Sequence, residues 1–119
     1  MKLLTKSIRE QLLRNGRVRA QLEEQGEAEA DFLPAVKLFT PDAGCTWLLA
    51  ELDPDEPDIA FGLCDLGMGH PELGTVRISE LESVRGRLGL PVERDRHFRP
   101  CKTLSAYADE ASLAGVIKA

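Results

Sequence analysis

The spacing of apolar residues changes along this chain from helical to strand-like and back to helical, and these changes divide it into elements. Leu4, Ile8 and Leu12 recur at every fourth position, which makes one stripe of a helix and predicts a short helix from Thr5 to about Leu13. Ser7 and Glu10 stand at capping-box spacing, so the start falls at Thr5 or Ser7. Asn15-Gly16 predicts the end, because both residues tolerate the left-handed C-cap conformation. Residues 17–30 have helix-forming composition but a thin apolar face, mainly Val18 and Leu22. They read as a second, exposed helix or a partly ordered connection.

The middle of the chain reads as β structure. Residues 34–40 form a strand candidate closed by Pro41-Asp42-Ala43-Gly44, which has turn chemistry, and a short break of this kind predicts a hairpin. The next strand, 45–52, is apolar at most positions on both faces, as in a central strand covered twice. Residues 53–58 carry two prolines and four carboxylates and read as a loop. Residues 59–66 and 73–78 are the third and fourth strands, with a Gly-rich turn at 67–71. Consecutive strands with short connections predict an antiparallel meander.

Ser79-x-x-Glu82 directly after a strand predicts a helix start, and Gly86, Gly89 and Pro91 keep that helix short. Residues 92–98 are a candidate fifth, edge strand, whose Arg94 and Arg96 would blunt the edge against aggregation. A last helix is expected over 104–113, with Ser105 as N-cap and Gly115 as C-cap. The expected fold is one α+β domain over 1–119. It is an antiparallel sheet of four to five strands in a meander, with the N-terminal and C-terminal helices packed on one face. The expected core is Leu4, Ile8, Leu12, Val36, Leu38, Trp47, Leu49, Phe61, Leu63, Val76, Ile78, Leu81 and Leu88.

Composition fits that reading. At 119 residues, 43% apolar and 29% charged, the chain is long enough to bury a core and ordinary for a globular domain. No apolar run approaches the ~20 residues of a membrane span. The start, Met1-Lys2-Leu3-Leu4-Thr5-Lys6, lacks the long apolar segment of a signal peptide, so a cytoplasmic protein without a membrane partner is expected. Three widely spaced cysteines fit a reducing compartment.

The net charge of −5 conceals segregation. Residues 1–20 hold six basic and one acidic residue, and 21–31 hold five acidic and none basic. Residues 51–82 hold nine acidic residues against Arg77, and 84–102 hold six basic and two acidic. Blocks of opposite sign either steer a partner or neutralise one another within the fold.

Candidate chemistry is thin. Asp53, Asp55, Glu56 and Asp58 lack the spacing of a calcium loop. Cys45, Cys64, Cys101, His70 and His97 include no C-x-x-C pair, so no metal site and no cofactor is expected. Cys101 lies near His97, Arg99 and Lys102, whose charges would activate a thiol, but no base or oxyanion site accompanies it. Glu80, Glu82, Glu93 and Asp95 read either as acid–base pairs or as caps and ion-pair partners. Gly67-Met68-Gly69 precedes His-Pro rather than a helix, so it is a turn and not a phosphate loop. Arg85, Arg87, Arg94, Arg96, Arg99 and Lys102, interleaved with His97 and Phe98, form the nucleic-acid candidate, set against a sequence pI of about 5.0.

Several segments, in order and spacing, carry a resemblance. They are Leu3-Leu4-Thr5, Val36-Lys37-Leu38-Phe39-Thr40-Pro41-Asp42, Thr46-Trp47-Leu48-Leu49, Glu51-Leu52-Asp53-Pro54, Phe61-Gly62 and Pro71-Glu72-Leu73-Gly74. The signature is Ser79-Glu80-Leu81-Glu82-Ser83-Val84-Arg85-Gly86-Arg87-Leu88-Gly89-Leu90-Pro91-Val92-Glu93-Arg94-Asp95. Together they resemble bacterial domain-of-unknown-function family 2958, whose members look like accessory proteins of plasmids, integrated elements and phages. The chain departs from that pattern around Thr75 to Ile78. The resemblance implies no catalytic residues.

The expected function is therefore a non-enzymatic accessory protein of a mobile element that binds another protein, with counter-defence as a special case. The expected partner surface gathers Glu82, Arg85, Arg87, Arg94, Asp95, Arg96 and His97. The alternatives are nucleic-acid binding through 85–102 and a hydrolase-like enzyme with a pocket gathering Glu82, Arg85, Arg94, Asp95 and His97.

Overall fold

The computed structural model describes residues 3–27 and 29–119. Met1 and Lys2 of the amino-terminal reading, and Ala28 of the expected second helix, lie outside them. The elements are α1 (Lys6–Glu24), β1 (Val36–Phe39), β2 (Thr46–Leu52), β3 (Ile59–Asp65), β4 (Glu72–Arg77), α2 (Ile78–Ser83), β5 (Glu93–Arg94) and α3 (Leu104–Ala114). The strands form one antiparallel sheet in the order β4-β3-β2-β1-β5. This is the expected α+β fold: a four-strand meander, with β5 added at the β1 edge.

The two terminal helices do not share a face, which corrects the one-sided arrangement expected. Alternation along β2 sends Trp47 and Leu49 to one side, with Leu12, Val36, Leu38, Ile78, Leu81 and Val92. It sends Leu48 and Ala50 to the other, with Leu63, Leu104, Tyr107 and Ala111. A central strand apolar on both faces needs two covers, and α1 and α3 supply one each. Leu88, expected in the core, is 80% exposed at the tip of a loop. Ile8, Phe61 and Val76 border the core and are only partly buried.

α1 runs uninterrupted through Asn15-Gly16, where a helix end was expected, and absorbs the start of the expected second helix. Thr5 caps it, its Oγ1 accepting from the Ile8 amide at 3.1 Å. Both supposed stop residues face the sheet. A Cβ at Gly16 would overlap the Leu52 carbonyl oxygen, so the glycine permits close approach to β2. Asn15 Nδ2 donates to the Ala50 carbonyl at 2.9 Å, and its Oδ1 accepts from Gln11 Nε2 at 2.9 Å. Ala50 sits in a β-bulge, without a Cα partner on either neighbouring strand. Asn15 therefore satisfies a carbonyl that the ladder leaves behind, and this contact overrides the local preference to stop.

Two helix starts also differ from expectation. α2 begins at Ile78, and the Ser79–Glu82 capping box does not form. The Asp58 carboxylate accepts from the Ser79 amide at 2.9 Å and from Ser79 Oγ at 2.6 Å instead. α3 begins at Leu104, so Ser105 is inside the helix rather than its N-cap. The Asp31 carboxylate accepts from the Ser105 amide at 3.1 Å and from Ser105 Oγ. In both, an acid from a distant segment satisfies an amide of the first turn and favourably meets the helix dipole. Gly115 ends α3 as expected, at φ 75°.

In an exposed helix, Gly→Ala stabilises by about 1 kcal/mol. Gly16→Ala should instead destabilise by about 1–3 kcal/mol, because the methyl has no room. Urea unfolding of the two proteins reads the sign directly.

Candidate functional site

The signature segment folds into α2, a projecting loop over 84–92, and β5. The loop is a tight hairpin: the Gly86 amide donates to the Leu90 carbonyl and the Gly89 amide to the Gly86 carbonyl, each at 3.0 Å. Arg85 and Pro91 form a β-bridge at its base, and Gly89 takes φ 78°. Asp42, in the β1–β2 turn, reaches across and accepts through Oδ2 from the amides of Leu88 (2.6 Å) and Leu90 (3.3 Å). A Cβ at Gly86 would overlap that carboxyl, so the glycine lets the loop close on it. Leu88 (80%) and Leu90 (43%) are thereby held exposed, on the same loop as Arg85 and Arg87.

The expected partner residues have different surroundings. Glu82 is exposed, with Oε2 at 3.5 Å from the Leu3 amide. Arg85 Nη1 donates to the carbonyls of Glu82 (3.0 Å) and Val84 (2.8 Å), at the end of α2. Arg94 is half-buried and donates to the Leu3 carbonyl at 2.5 Å, which ties β5 to the chain start. Asp95 pairs with Lys37 at 3.5 Å and accepts from the His97 amide at 2.9 Å. The His97 amide first, and Lys37 after it, hold its carboxyl below the ordinary value. Arg87, Arg96 and His97 are exposed, and among the described residues no side-chain hydrogen bond or ion pair engages Arg87 or Arg96.

Two clefts divide these residues. One, of about 480 Å³, is lined by Leu3, Glu82, Arg85, Pro91, Val92 and Glu93. The other, of about 590 Å³, takes in Lys37, Phe39 and Thr46 with Arg94, Asp95, Arg96 and His97. The pocket required by the hydrolase reading is thus split, with Glu82 and Arg85 in one cleft and Arg94, Asp95 and His97 in the other. The basic segment is divided as well. Besides Arg85 and Arg94, Lys102 pairs with Glu110 at 3.0 Å and lies 5.2 Å from the Tyr107 ring centre. Arg99 donates to the Phe98 carbonyl at 2.9 Å.

The remaining candidates serve the fold. Asp53 accepts from the Asp55 amide at 2.9 Å, Asp58 caps α2, and Glu56 pairs with Arg77 at 3.1 Å. Among the described residues, no three His, Cys, Asp or Glu side chains converge as a metal site. Burial pushes the Cys64 thiol up to about 11, which makes it a poor nucleophile. The thiol of exposed Cys101 lies 3.5 Å from the Tyr107 hydroxyl, and the Cys101 amide donates to that hydroxyl at 3.1 Å.

Sequence reasoning missed two charged groups. Asp42 had been explained by its turn alone. Glu51 is 3% exposed in β2, hydrogen-bonded to Arg19, which also pairs with Glu23 at 2.7 Å. A lone acid within Trp47-Leu48-Leu49-Ala50-Glu51-Leu52 was the signal for it. A cavity of about 280 Å³ opens over this pair, walled by Ile59, Phe61 and Thr75. Burial raises the Glu51 pKa more than Arg19 lowers it, while the hydrogen bond to Glu51 raises that of Arg19. Both values rise, which disfavours the charged carboxylate and favours the charged guanidinium, because the carboxylate is buried while the arginine keeps 28% of its side-chain surface in water.

The profile of the family described as "Protein of unknown function (DUF2958)" matches residues 3–118, nearly the whole chain, and the chain belongs to that family. No curated protein and no solved structure matches it.

Asp42→Ala should speed amide exchange at Leu88 and Leu90 while leaving the protection of β2 unchanged, as read by residue-resolved hydrogen exchange. Glu51 gives a pH-dependent prediction. Its folded pKa lies above the unfolded value, so its stabilising contribution is present at low pH and fades as pH rises through the folded pKa. In urea unfolding, the stability of Glu51→Gln relative to the natural protein should therefore rise between acid and neutral pH.

Proposed function

We propose that this member of the DUF2958 family acts without catalysis, as an accessory protein of a mobile element that binds another protein. The contact surface in this reading is the signature segment: α2, the 84–92 loop and β5. One observation carries it. Leu88 is 80% exposed, on a loop whose backbone is pinned by Asp42. An apolar side chain held in water on an ordered loop gains most from a partner that covers it, since little loop entropy remains to be lost. Arg85 and Arg87 beside it favour a partner with an acidic rim.

The mobile-element setting, and counter-defence within it, rest on the family resemblance. Phosphate mimicry draws little support from a net charge of −5. The second reading, nucleic-acid binding, is favoured by exposed Arg87 and Arg96, which have no side-chain partner among the described residues. It has fewer free cations than the sequence offered, because Arg85, Arg94, Arg99 and Lys102 each hold an intramolecular contact.

Affinity capture of the tagged protein from host lysate, with and without nuclease, tests both readings. The expected result is a stoichiometric protein partner that survives nuclease and is lost with Leu88→Asp, a change that should leave the thermal midpoint within ~1 °C because the site is exposed. Retention of that partner by Leu88→Asp would remove the loop from the interface. Capture that vanishes with nuclease and weakens in Arg87→Ala and Arg96→Ala would move the function to nucleic acid.

A further inference from the structure

The sheet has two edges, and they are treated differently. At one edge β5 is two residues long, a length that offers little to another strand. At the other edge β4 runs for six residues, Glu72 to Arg77, and among the described residues it pairs only with β3. Its register with β3 is continuous from Ile59↔Arg77 to Cys64↔Glu72, without a bulge. No proline or lysine stands within it. Among the described residues, no backbone hydrogen bond beyond the β3 ladder involves residues 72–76. The outward N–H and C=O groups of β4 are a template for a further strand.

Gly74, near the middle of that edge, has no requirement inside the fold. A Cβ there would meet nothing within 4 Å, and its φ is not in the left-handed region. Glycine weakens a strand, and an interior one accompanies a bulge, a tight bend or the close approach of a ligand or another backbone; β4 has no bulge. The β3–β4 hairpin also exposes apolar side chains, at Leu66, Leu73 and Met68, the last 72% exposed.

Charge selects the occupant. Glu72 stands at one end of the edge. At the other, Arg77 is paired with Glu56 at 3.1 Å and Asp58 at 3.7 Å, and Glu80 also acts on it. Four carboxylates thus lie in or beside the ends of β4 against one guanidinium. Antiparallel self-pairing would set Glu72 against Arg77 but would bring two net-acidic edges together, whereas a basic strand would complement the acidic excess.

We infer that the free edge of β4 accepts a basic, extended segment of another protein as a sixth strand. Backbone hydrogen bonds to β4 hold it, Leu73 offers an apolar side contact, and the surrounding carboxylates select lysine or arginine on the incoming segment. This surface lies across the sheet from β5 and does not depend on the loop proposed above.

An NMR titration of the full chain tests it with three blocked eight-residue peptides. One alternates Lys and Val, one alternates Glu and Val, and one is the Lys–Val peptide methylated on every backbone nitrogen. The Lys–Val peptide should shift the amides of residues 72–77 and slow their exchange. The other two should bind at least about tenfold more weakly, because one lacks the charge and the other the donors. Glu72→Lys with Glu80→Lys, both exposed, should weaken Lys–Val binding severalfold with near-UV circular dichroism unchanged. Equal binding of the methylated peptide would reduce the effect to charge alone and overturn the inference. So would shifts confined to residues outside β4, or no response at millimolar Lys–Val peptide. A dimer in sedimentation velocity with β4 amides protected in the absence of peptide would overturn it in favour of a second copy.

Discussion

From Trp47 to Leu52 every residue of β2 is buried, so neither face of the sheet can be left to water. One face is closed by α1 and α2, the other by α3 and the segments that flank it. The same burial makes the bulge at Ala50 costly, because a carbonyl released from the ladder has no water to turn to. Asn15 of α1 meets that carbonyl, and Gly16 beside it brings the helix against the end of the strand. The continuity of α1, its distance from the sheet and the satisfaction of the bulge are thus consequences of one buried strand.

The acidic excess of the chain is largely spent on its own backbone. Asp31 and Asp58 meet the first turns of α3 and α2, and Asp42 holds the signature loop. Asp65, fully buried, accepts from the Gly67 amide at 2.9 Å and from the Ile117 amide at 3.0 Å. These carboxylates sit in connections or at a strand end, and each of the four reaches a segment far away in sequence. Charge segregation along the chain therefore becomes, in the fold, a set of ties between loops and helix ends.

Much of this was legible. The strands follow alternation and turn chemistry, which act over two to four residues and are little altered by what packs above them. Three misread helix boundaries share one cause. Asn15-Gly16, Ser79-x-x-Glu82 and Ser105 carry sound local signals for a stop and two caps, and each was overridden by a group remote in sequence: Ala50 and Leu52, Asp58, and Asp31. At the candidate site, six cations were visible between 84 and 102, but not that Arg94 would be drawn to the Leu3 carbonyl or Lys102 to Glu110. Leu88 was read as core because apolarity records a preference for burial and not whether burial occurs.

By itself the sequence determined the α+β class, the meander, the family and the central place of the 45–52 strand, because periodicity and turn chemistry are local. Only the tertiary structure decided which helix covers which face, which carboxylate caps which helix, and which arginines remain free. Those outcomes depend on competition between groups far apart in the chain for the same buried donors and acceptors. It also decided that Leu88 stands in solvent and that β4 ends the sheet, since exposure belongs to a surface and not to a residue type.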